Sequence, residues 1–406
     1  MFPSQTGALR PALLCGLSAA ALLVALPGAA QAQDRTFEVY GFADADYIQD
    51  FRRVDPDWEA TLRPSKIPTI PGQFGGDGES IISVRQTRFG VKGGQDDVDG
   101  LPFEFKFEFD FFGVGSDAGQ TTIRLRHAYG VWGHFLAGQT NSLFMDGDIF
   151  PNVIDYWGPA GMVFLRNPQA RWTFVDNDTY RFAIAAEKPG NDIDPGRIRE
   201  IDPNIGANIQ AHDNVPDLTA QFRYTGGEWG YVQLAGILRN LGFETLGTVD
   251  NRPKGNELGY GLNLTSNIMV GHKDKILAGV VAGKGIASYM NDGGTDLAPE
   301  GVPGDLSAEA VNLVGISLYY DHYWNDRWST SFGWSQTKVD NTDFQAPEAF
   351  QTGQYASINL LFTPAPELLF GGEFLWGQRE DNDDRSAEDY RIQLTAKYNF
   401  SSGNIL

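Results

Sequence analysis

Cysteine is almost absent from this 406-residue chain, since Cys15 is the only one. A single cysteine forms no internal disulfide, so a disulfide-stapled secreted scaffold is excluded. Basic residues are also few, with 31 Lys plus Arg against 52 Asp plus Glu and a formal net charge of −21. Nucleic-acid binding needs a basic footprint, and this balance argues against it.

Long apolar runs are absent beyond residue 32. A membrane-crossing helix needs roughly 18 successive apolar residues, so the rest of the chain is not a helical membrane protein. Residues 1–32 have the pattern of a secretory signal peptide, with Arg10, an apolar stretch over 12–26 and the cleavage motif Ala30-Gln31-Ala32. We expect cleavage to leave one domain, residues 33–406. The loss of Arg10 would change the formal charge from −21 to −22.

Aromatic residues and glycine are plentiful, at 13% of the chain and 48 residues respectively, which is typical of β-structure. The clearest pattern is an alternation over residues 103–111, where five Phe are interleaved with Glu104, Lys106, Glu108 and Asp110. Successive side chains of a strand face opposite sides, so one face is aromatic and the other is charged. In a membrane barrel the aromatic face contacts lipid and the charged face lines the lumen.

Similar alternation recurs along the chain, and short turns alternate with long polar loops between the segments. Short turns on one side and long loops on the other are typical of an outer-membrane barrel. A soluble propeller or sandwich is the alternative, but the chain has no repeat with a period near ~40 residues. The sequence therefore predicts an all-β transmembrane antiparallel barrel of sixteen strands in a bacterial outer membrane. The predicted strands cover residues 36–48, 81–93, 103–112, 122–132, 135–141, 169–176, 180–188, 218–225, 230–242, 256–270, 275–289, 310–324, 327–339, 353–363, 367–378 and 388–400.

Several short motifs cluster between residues 103 and 172. They are Phe107-Glu-Phe-Asp-Phe-Phe-Gly113, Leu125-Arg-His-Ala-Tyr-Gly130, Ala137-Gly-Gln-Thr-Asn-Ser142, Phe144-Met-Asp-Gly-Asp148, Ile154-Asp-Tyr-Trp-Gly-Pro-Ala-Gly161 and Arg166-Asn-Pro-Gln169. With these motifs the chain resembles the DcaP-like family of trimeric outer-membrane porins. The resemblance implies a sixteen-stranded barrel, three chains per assembly, and a loop after the fifth strand that folds into each pore. It also implies passive uptake of small organic anions, typically dicarboxylates.

Residues 142–168 are the candidate for the loop that narrows the pore. This segment carries Asp146, Asp148, Asp155 and Arg166, and Gly and Pro residues at its bends. An outward surface loop is the alternative, but it would expose many large apolar side chains to water. We therefore expect inward folding. The apolar residues in question are Phe144, Ile149, Phe150, Val153, Ile154, Trp157 and Phe164.

Arginines at strand positions whose side chains should point into the lumen are the candidates for contact with an anionic solute. A guanidinium binds a carboxylate bidentately, and a series of them would pass it from site to site. Alternatively, the arginines face the lumen because lipid excludes charge, and they pair with Glu104, Glu108 or Asp110. The functional role is favoured for Arg124 and Arg126, which lie next to the loop. The full candidate set is Arg124, Arg126, Arg166, Arg171, Arg181, Arg223 and Arg391, with Asp146 and Asp148 of the loop.

Catalysis and metal binding find less support in the sequence. There is no G-x-S-x-G motif, and His127 in outward phase has no evident Ser partner, so we predict no enzyme. The acidic clusters at 292–296 and 380–384 could bind Ca²⁺ or Mg²⁺, but they lack EF-hand spacing, and solvated loops are the expected state. We predict no metal or other cofactor.

Two other functions stay open, a general or cation-preferring porin and a non-transport barrel such as an adhesin. Against the second, sixteen strands enclose an aqueous channel, whereas eight would be filled by side chains. The expected partners are small anionic solutes, outer-membrane lipid and lipopolysaccharide, and further copies of the chain in a homotrimer.

Overall fold

The computed structural model describes residues 35–113, 122–302 and 305–404, which form an antiparallel barrel with loop segments inside it. The predicted signal peptide, residues 1–32, lies outside the described residues. The strands and helices in chain order are β1 (Arg35–Asp50), β2 (Glu79–Ser83), β3 (Arg88–Val98), β4 (Leu101–Gly113), β5 (Thr122–Trp132), β6 (Phe135–Asn141), β7 (Arg166–Asp176), β8 (Tyr180–Glu187), α1 (Ile198–Ile201), α2 (Pro203–Asn208), β9 (Ile209–Ala211), β10 (Asp217–Thr225), β11 (Gly230–Thr245), β12 (Gly255–Val270), β13 (Asp274–Lys284), β14 (Leu297–Val302), β15 (Asp305–Ala310), β16 (Asn312–Tyr323), β17 (Trp328–Asp340), β18 (Phe350–Ala365), β19 (Leu368–Asp381) and β20 (Ser386–Ser401).

Sixteen strands close the barrel, and the four others are β2, β9, β14 and β15. The first strand, β1, pairs with the last, β20, with Ala45 opposite Ala396, and on its other side with β3 and β2. Short β9 pairs with the end of β11, and β14 and β15 form a separate hairpin. Closure leaves the wall without a free strand edge. The predicted all-β antiparallel barrel of sixteen strands is confirmed.

The two faces of β4 have the environments that its alternation predicts. Phe103 and Phe107 face outward and are 36% and 43% exposed, whereas Glu108 and Asp110 are buried inside the barrel. Because side chains alternate, a slip of one residue would put these carboxylates in contact with lipid. The alternation therefore specifies the register of this strand.

The predicted strand over residues 81–93 is wrong in one respect, because two strands, β2 and β3, occupy it. A turn at residues 84–87 separates them, in which the Thr87 amide donates to the Val84 carbonyl and the Thr87 hydroxyl contacts the backbone of β1. In an unbroken strand, Arg85 and Arg88 would lie on opposite faces, with one guanidinium towards lipid. The turn brings both inside, where Arg85 stacks on Phe112 at 4.7 Å and Arg88 lies near Glu108.

More than one loop sends segments into the barrel. The sequence predicted this only for residues 142–168, but residues from 54–67 and 285–298 are also buried there, including Leu62, Ile67 and Tyr289. The predicted strand over 275–289 ends at Lys284, because Gly285 takes a left-handed conformation (φ 62°) and a 3-10 turn follows. Within the described residues, none of the helices has the length and apolar character needed to cross a bilayer.

Candidate functional site

Residues 142–165 run through the inside of the barrel and form what is termed here the inner loop. This inward course confirms the prediction, although the loop ends three residues earlier because β7 begins at Arg166. The start of the loop is fixed by the buried carboxylate of Asp146. Side chains of β10, β11 and β12 donate hydrogen bonds to it, namely Arg223 (2.9 Å), Tyr231 (2.9 Å) and Thr265 (2.6 Å).

A second buried carboxylate, Asp155, holds the middle of the inner loop. It accepts hydrogen bonds from the Thr61 hydroxyl (2.7 Å), the Tyr355 hydroxyl (3.2 Å) and the amides of Leu62 and Gly158 (both 3.1 Å). Burial raises the pKa of the Asp155 carboxyl above its usual value, although the hydrogen bonds oppose this shift. One side chain thus joins the inner loop to β18 and to residues 51–78 between β1 and β2, termed here the first long loop.

Apolar side chains of the inner loop pack against the wall from β11 to β19. The approach is closest at Gly161, where a Cβ would lie 2.2 Å from the carbonyl oxygen of Ile316 and 2.3 Å from that of Gln336. Only glycine fits between these two strands without displacing backbone. The buried residues of the loop include Phe144, Met145, Ile149, Ile154, Ala160, Met162 and Val163.

Two carboxylates of β4 bind the two arginines of β5 for which the sequence favoured a functional role. Asp110 accepts hydrogen bonds from Arg124 Nε (3.2 Å), Arg124 Nη2 (2.9 Å) and Arg126 Nη1 (2.9 Å). Glu108 accepts from Arg126 Nε at 2.7 Å. Both guanidinium groups are therefore held by wall carboxylates, as the alternative interpretation expects. Arg126 also donates to the Tyr156 hydroxyl (2.8 Å), which fixes the inner loop against this wall.

Cations outnumber carboxylates on this stretch of wall. Besides Arg124 and Arg126, Arg88 Nε lies 3.7 Å and Lys106 Nζ 3.3 Å from the Glu108 carboxylate. Four cations therefore surround the carboxylates of Glu108 and Asp110. The local charge is positive, although the whole chain is strongly negative.

A β-bulge in β5 places Arg126 and His127 on the lumen side together. Glu108 lies opposite His127 while Phe109 lies opposite Leu125, so Arg126 is the extra residue. The prediction that His127 faces outward is therefore wrong. The ring is buried, and its Nδ1 lies 3.0 Å from the Thr140 hydroxyl.

A cavity of about 320 Å³ lies between the inner loop, β5 and β7 and is termed here the arginine cavity. Parts of the chain that are distant in sequence line it, because four loops, those that follow β1, β6, β8 and β13, converge at this point. Its lining includes three arginines, three aromatic rings and one carboxylate, contributed by Arg63, Arg124, Arg166, Tyr156, Trp157, Phe164 and Asp192.

Arg166 has no carboxylate partner in this cavity. No Asp or Glu oxygen of the described residues lies within 4 Å of its guanidinium, and its buried Nε donates no hydrogen bond to them. The guanidinium carbon lies 4.8 Å from the centre of the Phe164 ring. A half-buried guanidinium whose buried Nε has no hydrogen-bond acceptor favours an approaching anion.

Arg63 was missed by the sequence analysis. Its guanidinium carbon lies 4.2 Å and 4.4 Å from the ring centres of Trp58 and Trp157, and its Nη2 is 2.9 Å from Asp292. The signal in the sequence was the neighbouring apolar residue, Leu62. It is fully buried, because this part of the first long loop turns inward. Two of the partners of Arg63, Trp157 and Asp292, lie 94 and 229 positions away in the sequence, so local pattern gave no sign of them.

The acidic cluster at 292–296 is not solvated, contrary to expectation. Asp292 and Asp296 are fully buried and pair with Arg63 and Arg239 at 2.9 and 3.1 Å. Near them, burial and then the charge of Asp296 raise the pKa of the Asp192 carboxyl that lines the arginine cavity. Over the described ranges, no group of three or more His, Cys, Asp or Glu residues is placed to hold a metal ion.

The remaining candidate arginines lie outside the lining of the arginine cavity. Arg223 binds Asp146 and Asp148 of the inner loop, at 2.9 and 2.5 Å, and so has a positioning role. Arg391 is fully buried between Asp50 and Asp389. Arg171 donates to Gln169 and to the Asn141 carbonyl, and Arg181 pairs with Asp176 near an exposed short turn. Of the predicted set, the cavity brings together Arg124 and Arg166 only.

Comparisons with known proteins agree with this architecture. The outer membrane channel DcaP of Acinetobacter baumannii has a similar structure, with a TM-score of 0.77 and 23% identity over 90% of this chain and 97% of that one. An anion-selective porin from Comamonas acidovorans (TM-score 0.57, 9% identity, 90% and 100% coverage) and OmpT of Vibrio cholerae (0.54, 12%, 90% and 98%) share the fold. A search of curated protein sequences gives no match.

The family model of the DcaP outer membrane protein matches residues 80–400 of the 406. This match covers the barrel from β2 to the end of β20, including the inner loop and the arginines of β5 and β7. The chain therefore belongs to the DcaP outer membrane protein family and forms an outer-membrane channel.

Proposed function

We propose that the channel admits small organic anions passively, with carboxylates, and dicarboxylates in particular, as its solutes. The long loops then face the cell exterior and the short turns the periplasm, as in outer-membrane barrels generally. A solute would pass the arginine cavity beside the inner loop. No covalent chemistry is required of the lining residues.

The observation that best supports this proposal is the absence of a carboxylate partner for Arg166 among the described residues. Its side chain is half-buried and its buried Nε donates no hydrogen bond to the described residues, none of which offers a carboxylate partner, whereas Arg63 and Arg124 each have one. A positive group in a cavity with apolar walls attracts anions more strongly than the same group in open water. Arg166 would thus supply the first contact for a carboxylate.

Dicarboxylates fit this cavity better than monocarboxylates do. Arg63 and Arg124 line the same space, and the hydrogen bonds to their own carboxylate partners use Nε and Nη2, which leaves the Nη1 of each for a solute. A solute with two carboxylates could contact Arg166 with one and a second arginine with the other. Each contact is shared with a protein carboxylate or ring, which favours release over tight binding.

The reversal potential in a planar bilayer under a KCl gradient tests anion preference. The wild type should be anion-preferring. Arg166→Gln should lower the anion-to-cation permeability ratio by roughly fivefold, the effect of about 1 kcal/mol for one nearby charge. Arg181→Gln, which removes the same charge near an exposed turn, is the matched control and should change the ratio little. A cation-preferring wild type would contradict the proposal and favour a general or cation-preferring porin.

We also propose that the chain is exported by its signal peptide, assembles as a homotrimer, and contacts outer-membrane lipid and lipopolysaccharide. Support comes from the N-terminal sequence pattern and from the outward aromatic face of β4. N-terminal sequencing of protein from outer membranes should begin at Gln33. Light scattering of the detergent-extracted protein should give three times the protomer mass, and a monomer mass would contradict the trimer.

A further inference from the structure

A groove of about 620 Å³ lies on the outer surface of the barrel, on the lipid side of β12, β13, β16 and β17. The strand register shows that the side chains lining this groove face outward. Lys284 lies opposite Asn312, and Lys338 lies opposite Val314, which is 46% exposed. These residues lie at the ends of their strands that lead into long loops. The groove is therefore at the extracellular rim of the barrel wall.

Two lysines line this groove from strands on either side of β16. Adjacent strands are about 4.8 Å apart, so Lys284 and Lys338 are separated by about 10 Å across the sheet and by two residues along it. Lysine side chains are long and flexible enough for both ammonium groups to reach one ligand between them. Tyr260 lines the same groove and presents a polar hydroxyl at the end of an apolar ring.

Charged neighbours of the groove are Glu309 and Asp340. Lys284 Nζ lies 3.3 Å from Glu309, whereas no carboxylate of the described residues lies within 4 Å of the Lys338 ammonium. Asp340 accepts a long hydrogen bond (3.5 Å) from Asn312. At least Lys338 is thus available to an anion that arrives from the lipid side.

Apolar side chains continue from the groove towards the short-turn end of the barrel. Leu262, Val280 and Ile316 follow Tyr260, Ala282 and Val314 along the outward face of β12, β13 and β16 and are 60%, 48% and 38% exposed. A ligand with a phosphorylated headgroup and acyl chains has the complementary order of charge and hydrocarbon. Free phosphate would use the lysines but not the apolar strip.

We propose that this groove binds the phosphorylated headgroup of lipopolysaccharide, with Lys284 and Lys338 contacting phosphate and the acyl chains lying on the apolar strip. The proposal rests on the outer-membrane orientation and on the lipopolysaccharide contact proposed above, but it is independent of anion selectivity in the pore. Both lysines point away from the lumen, so the two proposals involve separate residues.

Native mass spectrometry of the full-length mature protein in detergent, titrated with bisphosphorylated lipid A, tests the site. Each surface lysine contributes roughly fivefold to binding of an anionic lipid, so Lys284→Gln with Lys338→Gln should weaken binding about thirtyfold. Lys254→Gln with Lys273→Gln removes the same charge elsewhere and is the control. Lys284→Arg with Lys338→Arg should keep the wild-type affinity.

Dephosphorylated lipid A and inorganic phosphate distinguish the sources of binding. Dephosphorylated lipid A should bind more weakly than bisphosphorylated lipid A, and inorganic phosphate should not compete with bisphosphorylated lipid A. Both results are expected because the headgroup charge and the acyl chains act together. Unchanged binding in the glutamine double variant, or equal binding of dephosphorylated lipid A, would overturn the proposal. The reversal potential of the same variant should equal that of the wild type, so failure of this site leaves the anion proposal intact.

Discussion

Arg166 and Asp192 face the same cavity with opposite charges, so under the proposed function the ion selectivity of the channel depends on the balance between single residues. Arg63 and Arg124 are each compensated by a carboxylate, Asp292 and Asp110. Arg166 has no such partner in the described chain, and the proposal therefore assigns the main attraction for an anion to its charge. Asp192 is the group that opposes it.

Acidification should increase the anion preference of the channel through Asp192. Burial and the neighbouring Asp296 raise the pKa of its carboxyl, so it becomes protonated at a higher pH than an ordinary carboxyl as the pH falls. Protonation removes a negative charge from the cavity. Reversal potentials recorded from neutral to acidic pH should therefore shift towards the potential expected of an ideally anion-selective channel.

Asp192→Asn separates this effect from general titration of the protein. The variant should already have the higher anion preference at neutral pH and should lose the corresponding part of the pH dependence. Glu228→Gln, near a short turn outside the arginine cavity, removes an equal charge as a control. Identical pH profiles for wild type and Asp192→Asn would show that Asp192 does not contribute.

At the scale of elements, the middle of the inner loop is held by hydrogen bonds to two buried carboxylates, Asp155 and Glu373. Asp155 alone accepts four, and the Glu373 carboxylate of β19 accepts from the amide of Ile154 next to it (2.8 Å). Buried donors that lose their acceptor cost about 1–3 kcal/mol each. The position of the loop therefore depends strongly on Asp155.

Asp155→Ala should release the inner loop while leaving the barrel closed. We expect more frequent closures and greater noise in single-channel current, because the Thr61 and Tyr355 hydroxyls lose their acceptor and the loop gains freedom to move. Asp148→Ala removes a carboxylate that is 61% exposed and should have a smaller effect. Equal current noise in the two variants would argue against Asp155 as the principal anchor.

The elements differ in how far the sequence alone predicted them. Alternation in β4 and β20 predicted the strands, their register and the face that each side chain occupies. Charged side chains are costly in lipid, so only one of the two possible orientations of each strand is allowed. The bulge at Arg126 and the turn at 84–87 were missed, since each shifts the phase within a strand whose residue types change little. Arg63 was missed because its position depends on contacts between loops, and such contacts leave no local periodicity.

At the scale of the whole molecule, the net charge of −21 gives a misleading impression of the pore. Many acidic residues are neutralised in buried pairs with arginine, such as Asp217 and Asp296 with Arg239. The stretch of wall beside the inner loop has more cations than carboxylates. A barrel separates its lumen from its outer surface and loops, so each region can have its own charge.

A bi-ionic reversal potential, with potassium chloride on one side of the bilayer and potassium succinate on the other, tests the central claim most directly. We expect succinate to carry current through the wild-type channel, with a permeability relative to chloride above the ratio of their mobilities in water. In Arg166→Gln this ratio should fall towards the mobility ratio. A channel that excludes succinate or prefers potassium would contradict the assignment of the arginine cavity to carboxylate passage.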